Sequence, residues 1–144
     1  MISKRSFVAG LVCIGFAARA EQAPQQATLY KSPDCTCCEC HAAYLKRNGI
    51  HVSIIETPDL PSIKKANGVP AELEGCHTIL LDGYVIEGHM PIYSIRKLLR
   101  ERPAIKGISL PGMPLGAPGM SGPKEGPFVI YEIRDGEKRV FATE

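Results

Sequence analysis

Hydrophobic and polar positions along the first third of the chain predict two strands with a helix between them. Residues 27–30 predict a short strand, and residues 50–54 alternate between apolar and polar side chains, as in a strand with one buried face. Between these strands, residues 42–48 continue as a helix, and Gly49 is a good signal for its end. The first third therefore predicts the order strand, helix, strand.

The middle of the chain predicts a short helix and then a hairpin. Asp59 is a favoured N-cap residue, and Asn67-Gly68 closes the helix that follows it. Two apolar runs, 78–81 and 84–86, flank Asp82-Gly83, a pair that tolerates the positive φ angles of a type I′ turn. The residues expected to face inward from the short helix are Leu60, Ile63 and Ala66.

A second amphipathic helix follows the hairpin, and it completes a recognisable order of elements. Pro91 suits its first turn, and its apolar residues share one face: Ile92, Ile95, Leu98 and Leu99. The order is then β-α-β-α-β-β-α, with cysteines between the first strand and the first helix. This is the thioredoxin-like arrangement, so we predict an α/β fold with a central mixed sheet and flanking helices.

The C-terminal part predicts a loop and a closing hairpin. In residues 111–127, ten of the seventeen residues are proline or glycine, which excludes a regular helix or strand. Residues 128–133 and 139–141 then predict two strands around Asp135-Gly136. The Pro/Gly-rich loop is therefore expected to be tethered at both ends.

The first twenty residues predict a signal peptide. Lys4 and Arg5 precede an apolar run at 7–18, and Ala18-Arg19-Ala20 fits a cleavage site with small residues. We therefore expect residues 1–20 to be removed after about Ala20, leaving a single periplasmic domain, 21–144, without a membrane anchor.

Charge argues against nucleic acid as a partner. The chain has 17 Lys and Arg against 15 Asp and Glu, and the expected leader carries three of the basic residues. Its removal leaves 14 basic against 15 acidic residues, so no basic excess remains to bind a phosphate backbone.

The cysteines indicate a site and not a framework of disulfides. Five of the six cysteines lie outside the leader, which is an odd number, and four of them fall within six residues. Disulfide bonds between cysteines spread along the chain would close larger loops and stabilise the fold more. The five are Cys35, Cys37, Cys38, Cys40 and Cys76.

The predicted topology brings these cysteines together with other soft ligands. A helix beginning near Thr36 points free N–H groups at the sulfurs and favours thiolate, the form that binds metals. In a thioredoxin-like fold, the turn with Cys76 and His77 faces that helix start, and the turn with His89 and Met90 lies at the same end. Helical spacing also places His41 beside Cys37 and Cys40, whereas His51 is expected on the surface.

Thiolate and thioether ligands favour Cu(I), and thiolate with imidazole also suits zinc. The thiolates outnumber what one Cu(I) needs, so a cluster with several copper ions is expected. The predicted metal ligands are Cys35, Cys37, Cys38 and Cys76, with Cys40, His77, His89 and Met90 as secondary candidates. Met113 and Met120, in two Pro-Gly-Met repeats, are either further ligands or loop and core filler.

Several ordered motifs resemble the CopG family of periplasmic copper proteins along nearly all of the expected mature chain. The motifs are Ser32-Pro33-x-Cys35-x-Cys37-Cys38, Val69-Pro70, Cys76-His77-Thr78, Gly83-Tyr84-x-Ile86-Glu87-Gly88-His89, Pro111-Gly112-Met113-Pro114 and Pro118-Gly119-Met120. The resemblance implies a thioredoxin-like fold, a role in copper resistance with optional redox activity, and Cu(I) held by the cysteines of CxCC and of Cys-His-Thr. Cys40 is additional to the family pattern, and Met90 stands where valine is commoner.

Three functions are compatible with the sequence. The first is a copper protein that stores Cu(I) or interconverts Cu(I) and Cu(II), with copper ions and other periplasmic copper-resistance proteins as partners. The second is a thiol–disulfide oxidoreductase that needs no metal, because a Cys-x-x-Cys pair in this fold is often a redox pair. The third is a structural zinc domain.

Overall fold

The computed structural model describes residues 25–144, so the predicted signal peptide lies outside the described part. The strands are β1 (Gln25–Lys31), β2 (Ile50–Glu56), β3 (His77–Leu81), β4 (Tyr84–Glu87), β5 (Gly107–Ser109), β6 (Val129–Ile133) and β7 (Val140–Thr143). The helices are α1 (Thr36–Arg47), α2 (Leu60–Ala66) and α3 (Ile92–Glu101), with a 3-10 turn at Ala71–Leu73. None of the described helices is long and apolar enough to cross a membrane.

All seven described strands form one mixed sheet in the order β2-β1-β3-β4-β5-β6-β7. The pairs β1–β2 and β4–β5 are parallel, and the other neighbouring pairs are antiparallel. The β3–β4 hairpin turns at Asp82 and Gly83, both with positive φ, as the Asp-Gly pair predicts. The fold is the α/β, thioredoxin-like fold expected from the sequence.

The core lies on both faces of the sheet. On β3, Ile79 and Leu81 belong to the larger cluster, which contains the inner faces of α1 and α3, while Leu80 packs against the smaller cluster. Successive strand residues point to opposite faces, so one strand contributes to both clusters. The start of α1 is thereby held against the sheet, where the cysteines lie.

Two local predictions need correction. In α2, Ala66 is exposed and Lys64 is buried in its stead, with its ammonium group paired to the buried Glu87 carboxylate. A charged side chain is buried here because an opposite charge from β4 meets it. Strand β5, with only three residues, was not predicted, because so short a run carries no periodicity.

The C-terminal predictions are confirmed. Residues 111–127 contain no helix or strand, apart from an isolated bridge between Gly112 and Gly75, and β6 and β7 form the expected closing hairpin. The loop returns to the cysteine end of the fold, since Gly119 packs against the backbone of α1. A side chain at Gly119 would place its Cβ 2.6 Å from the backbone nitrogen of His41.

Candidate metal centre

Four sulfur atoms converge at the start of α1. Cys35 occupies the N-cap position of α1, and its sulfur forms a disulfide with Cys38 one turn later. Cys37 Sγ lies 3.5 Å from Cys35 Sγ and 3.9 Å from Cys76 Sγ, and Cys76 Sγ lies 3.7 Å from Cys38 Sγ. The ligand atoms of all four residues lie within 4.8 Å of one another, so they form one group that could hold a metal ion.

Cys76 reaches this group because hydrogen bonds to the buried Glu87 carboxylate hold the turn before β3 in place. The Gly75 N–H donates to Glu87 Oε1 over 2.8 Å, and Thr78 donates to Glu87 Oε2 over 2.7 Å. Lys64 completes the buried network, with a further contact of 3.2 Å to the Thr78 hydroxyl. A Cβ at Gly75 would lie 2.6 Å from Gly88 Cα, so this approach requires glycine.

Two histidines extend the group on the other side of Cys76. His77 Nδ1 lies 3.1 Å from Cys76 Sγ, and His89 Nε2 lies 3.0 Å from the same sulfur. Both imidazoles are buried. Cys76, His77 and His89 therefore form a second group with potential metal ligands, and Cys76 belongs to both groups.

A third buried imidazole, His41, lies behind this pair. Its Nδ1 is 2.7 Å from His77 Nε2, and its Nε2 is 3.0 Å from the Met90 carbonyl oxygen. The sequence placed His41 beside Cys37 and Cys40 by helical spacing but did not predict it as part of the site. The overlooked signal is the i to i+3 step from Cys38, which puts both residues on the buried side of α1.

Burial favours the uncharged forms of these groups. It lowers the pKa of His41 to about 4, and it lowers the pKa of His77 well below the ordinary value, with the neighbouring His41 and His89 acting in the same direction. Burial also lowers the pKa of His89. Burial raises the pKa of the Cys76 thiol to about 12, and Cys37 adds to this effect. Metal binding to Cys76 must therefore displace a proton.

The other predicted ligands take different places. Cys40 is an exposed free thiol on α1 and belongs to neither group. The Met90 side chain is fully buried in the core, and its carbonyl oxygen accepts from His41. In the Pro/Gly-rich loop, Met113 is exposed and Met120 packs against the core. His51 is exposed, as expected.

The Pro/Gly-rich loop also supplies a contact that the sequence does not predict. His89 Nδ1 donates to the Pro118 carbonyl oxygen over 2.7 Å. A carbonyl only accepts, so this bond leaves His89 Nε2 without a hydrogen and turned toward Cys76. The loop therefore orients a candidate ligand.

Comparison with known proteins places the chain in a family. A family profile described as a protein of unknown function, DUF411, matches residues 73–120, which include Cys76, His77 and His89 but not the cysteines of α1. No curated protein sequence matches the chain. Two solved structures, forms 2 and 1 of copper resistance protein CopG, are each 34% identical with a TM-score of 0.78. The match covers 85% of this chain in both cases, and 99% and 98% of the two CopG chains. At this identity over almost the whole of those chains, the protein belongs to the CopG family.

Proposed function

We propose that this protein binds Cu(I) in copper resistance and homeostasis, as a thiolate cluster that holds more than one ion. The observation that carries the proposal is the position of Cys76, whose sulfur faces three cysteine sulfurs on one side and two imidazole nitrogens on the other. Thiolate and imidazole are good ligands for copper, and a shared sulfur is suited to bridging ions. The relatives named copper resistance protein support the assignment.

The proposed ligands are Cys35, Cys37, Cys38 and Cys76, with His77 and His89 as candidates beside them. The disulfide between Cys35 and Cys38 must be reduced before both residues can act as thiolates. Copper is the cargo of the site, and the chain supplies the ligands. We place the protein in the periplasm after cleavage near Ala20, with copper ions and other copper-resistance proteins as partners.

The same site offers a route for redox chemistry. If Cu(II) enters the reduced site, two Cu(II) ions can take one electron each from the thiols of Cys35 and Cys38. The products are two Cu(I) ions, one disulfide and two released protons. A disulfide between Cys35 and Cys38, as in the structure, is the form of the protein that this reaction would leave.

The second candidate function is thiol–disulfide exchange without a metal. The disulfide at the start of α1 favours it, because this is where a thioredoxin-like redox pair lies. Cys76 and the buried imidazoles weigh against it, since an exchange reaction requires neither.

The test compares both activities in one preparation of the mature protein. We expect the reduced protein to retain Cu(I) against a strong Cu(I) chelator without oxygen, and to reduce the disulfides of insulin slowly. Brisk reduction of insulin by the metal-free protein, together with weak copper retention, would favour the oxidoreductase. Absorption in the near ultraviolet separates Cu(I)–thiolate from zinc–thiolate, whose bands lie at shorter wavelength.

A further inference from the structure

His41 is the buried imidazole that the proposed copper site does not use as a ligand. It lies on α1 with no exposed surface, and its ring stacks on Tyr44 with the ring centres 5.9 Å apart. Both of its ring nitrogens are occupied, Nε2 by the Met90 carbonyl and Nδ1 by His77. Its hydrogen-bonded link to the proposed ligands runs through His77.

The hydrogen bonds define the tautomers of both rings. The Met90 carbonyl only accepts, so His41 Nε2 carries the hydrogen and Nδ1, in a neutral ring, has the lone pair. That lone pair faces His77 Nε2 at 2.7 Å, so His77 Nε2 carries a hydrogen and donates. The opposite tautomer of His77 would bring two lone pairs together at this distance.

The consequence appears at Cys76. With its hydrogen on Nε2, His77 presents the lone pair of Nδ1 to Cys76 Sγ at 3.1 Å. His89 presents Nε2 to the same sulfur at 3.0 Å, because Pro118 binds the hydrogen on Nδ1. A neutral Cys76 thiol has one hydrogen, so it can donate to only one of these two nitrogens. The lone pair of the other nitrogen then has no donor from Cys76. A metal ion that replaces the thiol hydrogen can accept from the sulfur and from both nitrogens.

We propose that His41 is a positioning residue that selects the His77 tautomer whose Nδ1 faces Cys76 and is available to copper. The hydrogen bonds from His41 to the Met90 carbonyl and from His77 to His41 hold the His77 ring in this tautomer behind the metal site. A metal-bound histidine usually has its other nitrogen fixed in this way, and loss of such a partner lowers metal affinity about 10–100-fold. The copper part of this inference rests on the proposed function, whereas the tautomer part does not.

The tautomer can be measured directly in the metal-free protein. Nitrogen-15 NMR of the imidazoles separates ring nitrogens that carry hydrogen from those that do not. We expect His77 and His41 to carry hydrogen on Nε2 and His89 on Nδ1. Hydrogen on His77 Nδ1 in the parent protein would overturn the inference, whatever its copper affinity.

A matched pair of variants then tests the effect on copper. Leucine and asparagine have the same branched shape, but asparagine retains an acceptor, Oδ1, near the place of His41 Nδ1. We expect His41→Leu to lower Cu(I) affinity about tenfold or more and to mix the His77 tautomers, while His41→Asn stays closer to the parent. Equal affinities for the two variants would overturn the positioning role.

The exposed His51 provides the control. We expect His51→Asn to leave both the His77 tautomer and the copper affinity unchanged. If the parent protein fails to retain Cu(I), the proposed function fails, and the NMR result on the metal-free protein still decides whether His41 sets the tautomer.

Discussion

The buried pair of Lys64 and Glu87 allows a stability prediction with a definite size. Both side chains are buried, and the Glu87 carboxylate also accepts from the Gly75 N–H and from Thr78. In Lys64→Met, the hydrophobic stem remains but the carboxylate loses its counter-charge. Breaking a buried pair in this way destabilises a protein by about 3–5 kcal/mol. We therefore expect the single variant to lose a large share of its stability.

Urea unfolding of the metal-free protein measures this loss. With a slope of about 2 kcal/mol per molar urea, a loss of 4 kcal/mol lowers the midpoint by about 2 M. The double variant Lys64→Met/Glu87→Gln has no charge left unpaired, so we expect it to recover most of the loss. A single variant that loses less than about 1 kcal/mol, or a double variant no more stable than the single one, would show that the buried ion pair does not stabilise the fold in this way.

Three further predictions concern the site. Cys76→Ser should abolish most copper retention under chelator competition, whereas Cys40→Ser should reduce it less; equal losses would contradict the assigned ligands. His77→Pro should weaken Cu(I) binding more than about tenfold with an unchanged circular dichroism spectrum, and unchanged affinity would place His77 outside the site. The metal-free protein should lose stability in acid: His41, with a pKa of about 4 when folded against 6.5 when unfolded, takes up its proton mainly on unfolding. Because of this proton, the free energy of unfolding falls by about 3 kcal/mol between pH 7 and pH 4, and no such loss occurs well above pH 6.5. The free energy of unfolding of His41→Leu, measured in urea, should therefore depend less on pH.

Local signals predicted much of the fold. Asp82-Gly83 marked the β3–β4 hairpin because a type I′ turn needs positive φ at both positions, and the structure has it there. The convergence of Cys76 with Cys35 and Cys38 followed from the thioredoxin-like fold that the order of elements indicated. The predicted inner face of α2 was right at Leu60, which is buried, and wrong at Ala66. Lys64 is buried there because its partner Glu87 lies 23 residues away, beyond the reach of helical periodicity.

The finer arrangement of the site depended on contacts that no local pattern contains. His41 contacts His77 directly, and a carbonyl on the segment before α3 orients its ring. His89 is oriented by a carbonyl of the Pro/Gly-rich loop. Carbonyl groups are present at every residue, so the sequence does not distinguish Pro118 from its neighbours. The pairing of Cys35 with Cys38 depends on redox state, which composition does not encode.

The number of Cu(I) ions bound per chain decides whether the site holds a copper cluster. The reduced mature protein would be loaded without oxygen, equilibrated with a strong Cu(I) chelator, and analysed for copper and protein in the same sample. Four thiolates with adjoining imidazoles predict more than one Cu(I) per chain. A ratio at or below one would contradict the cluster.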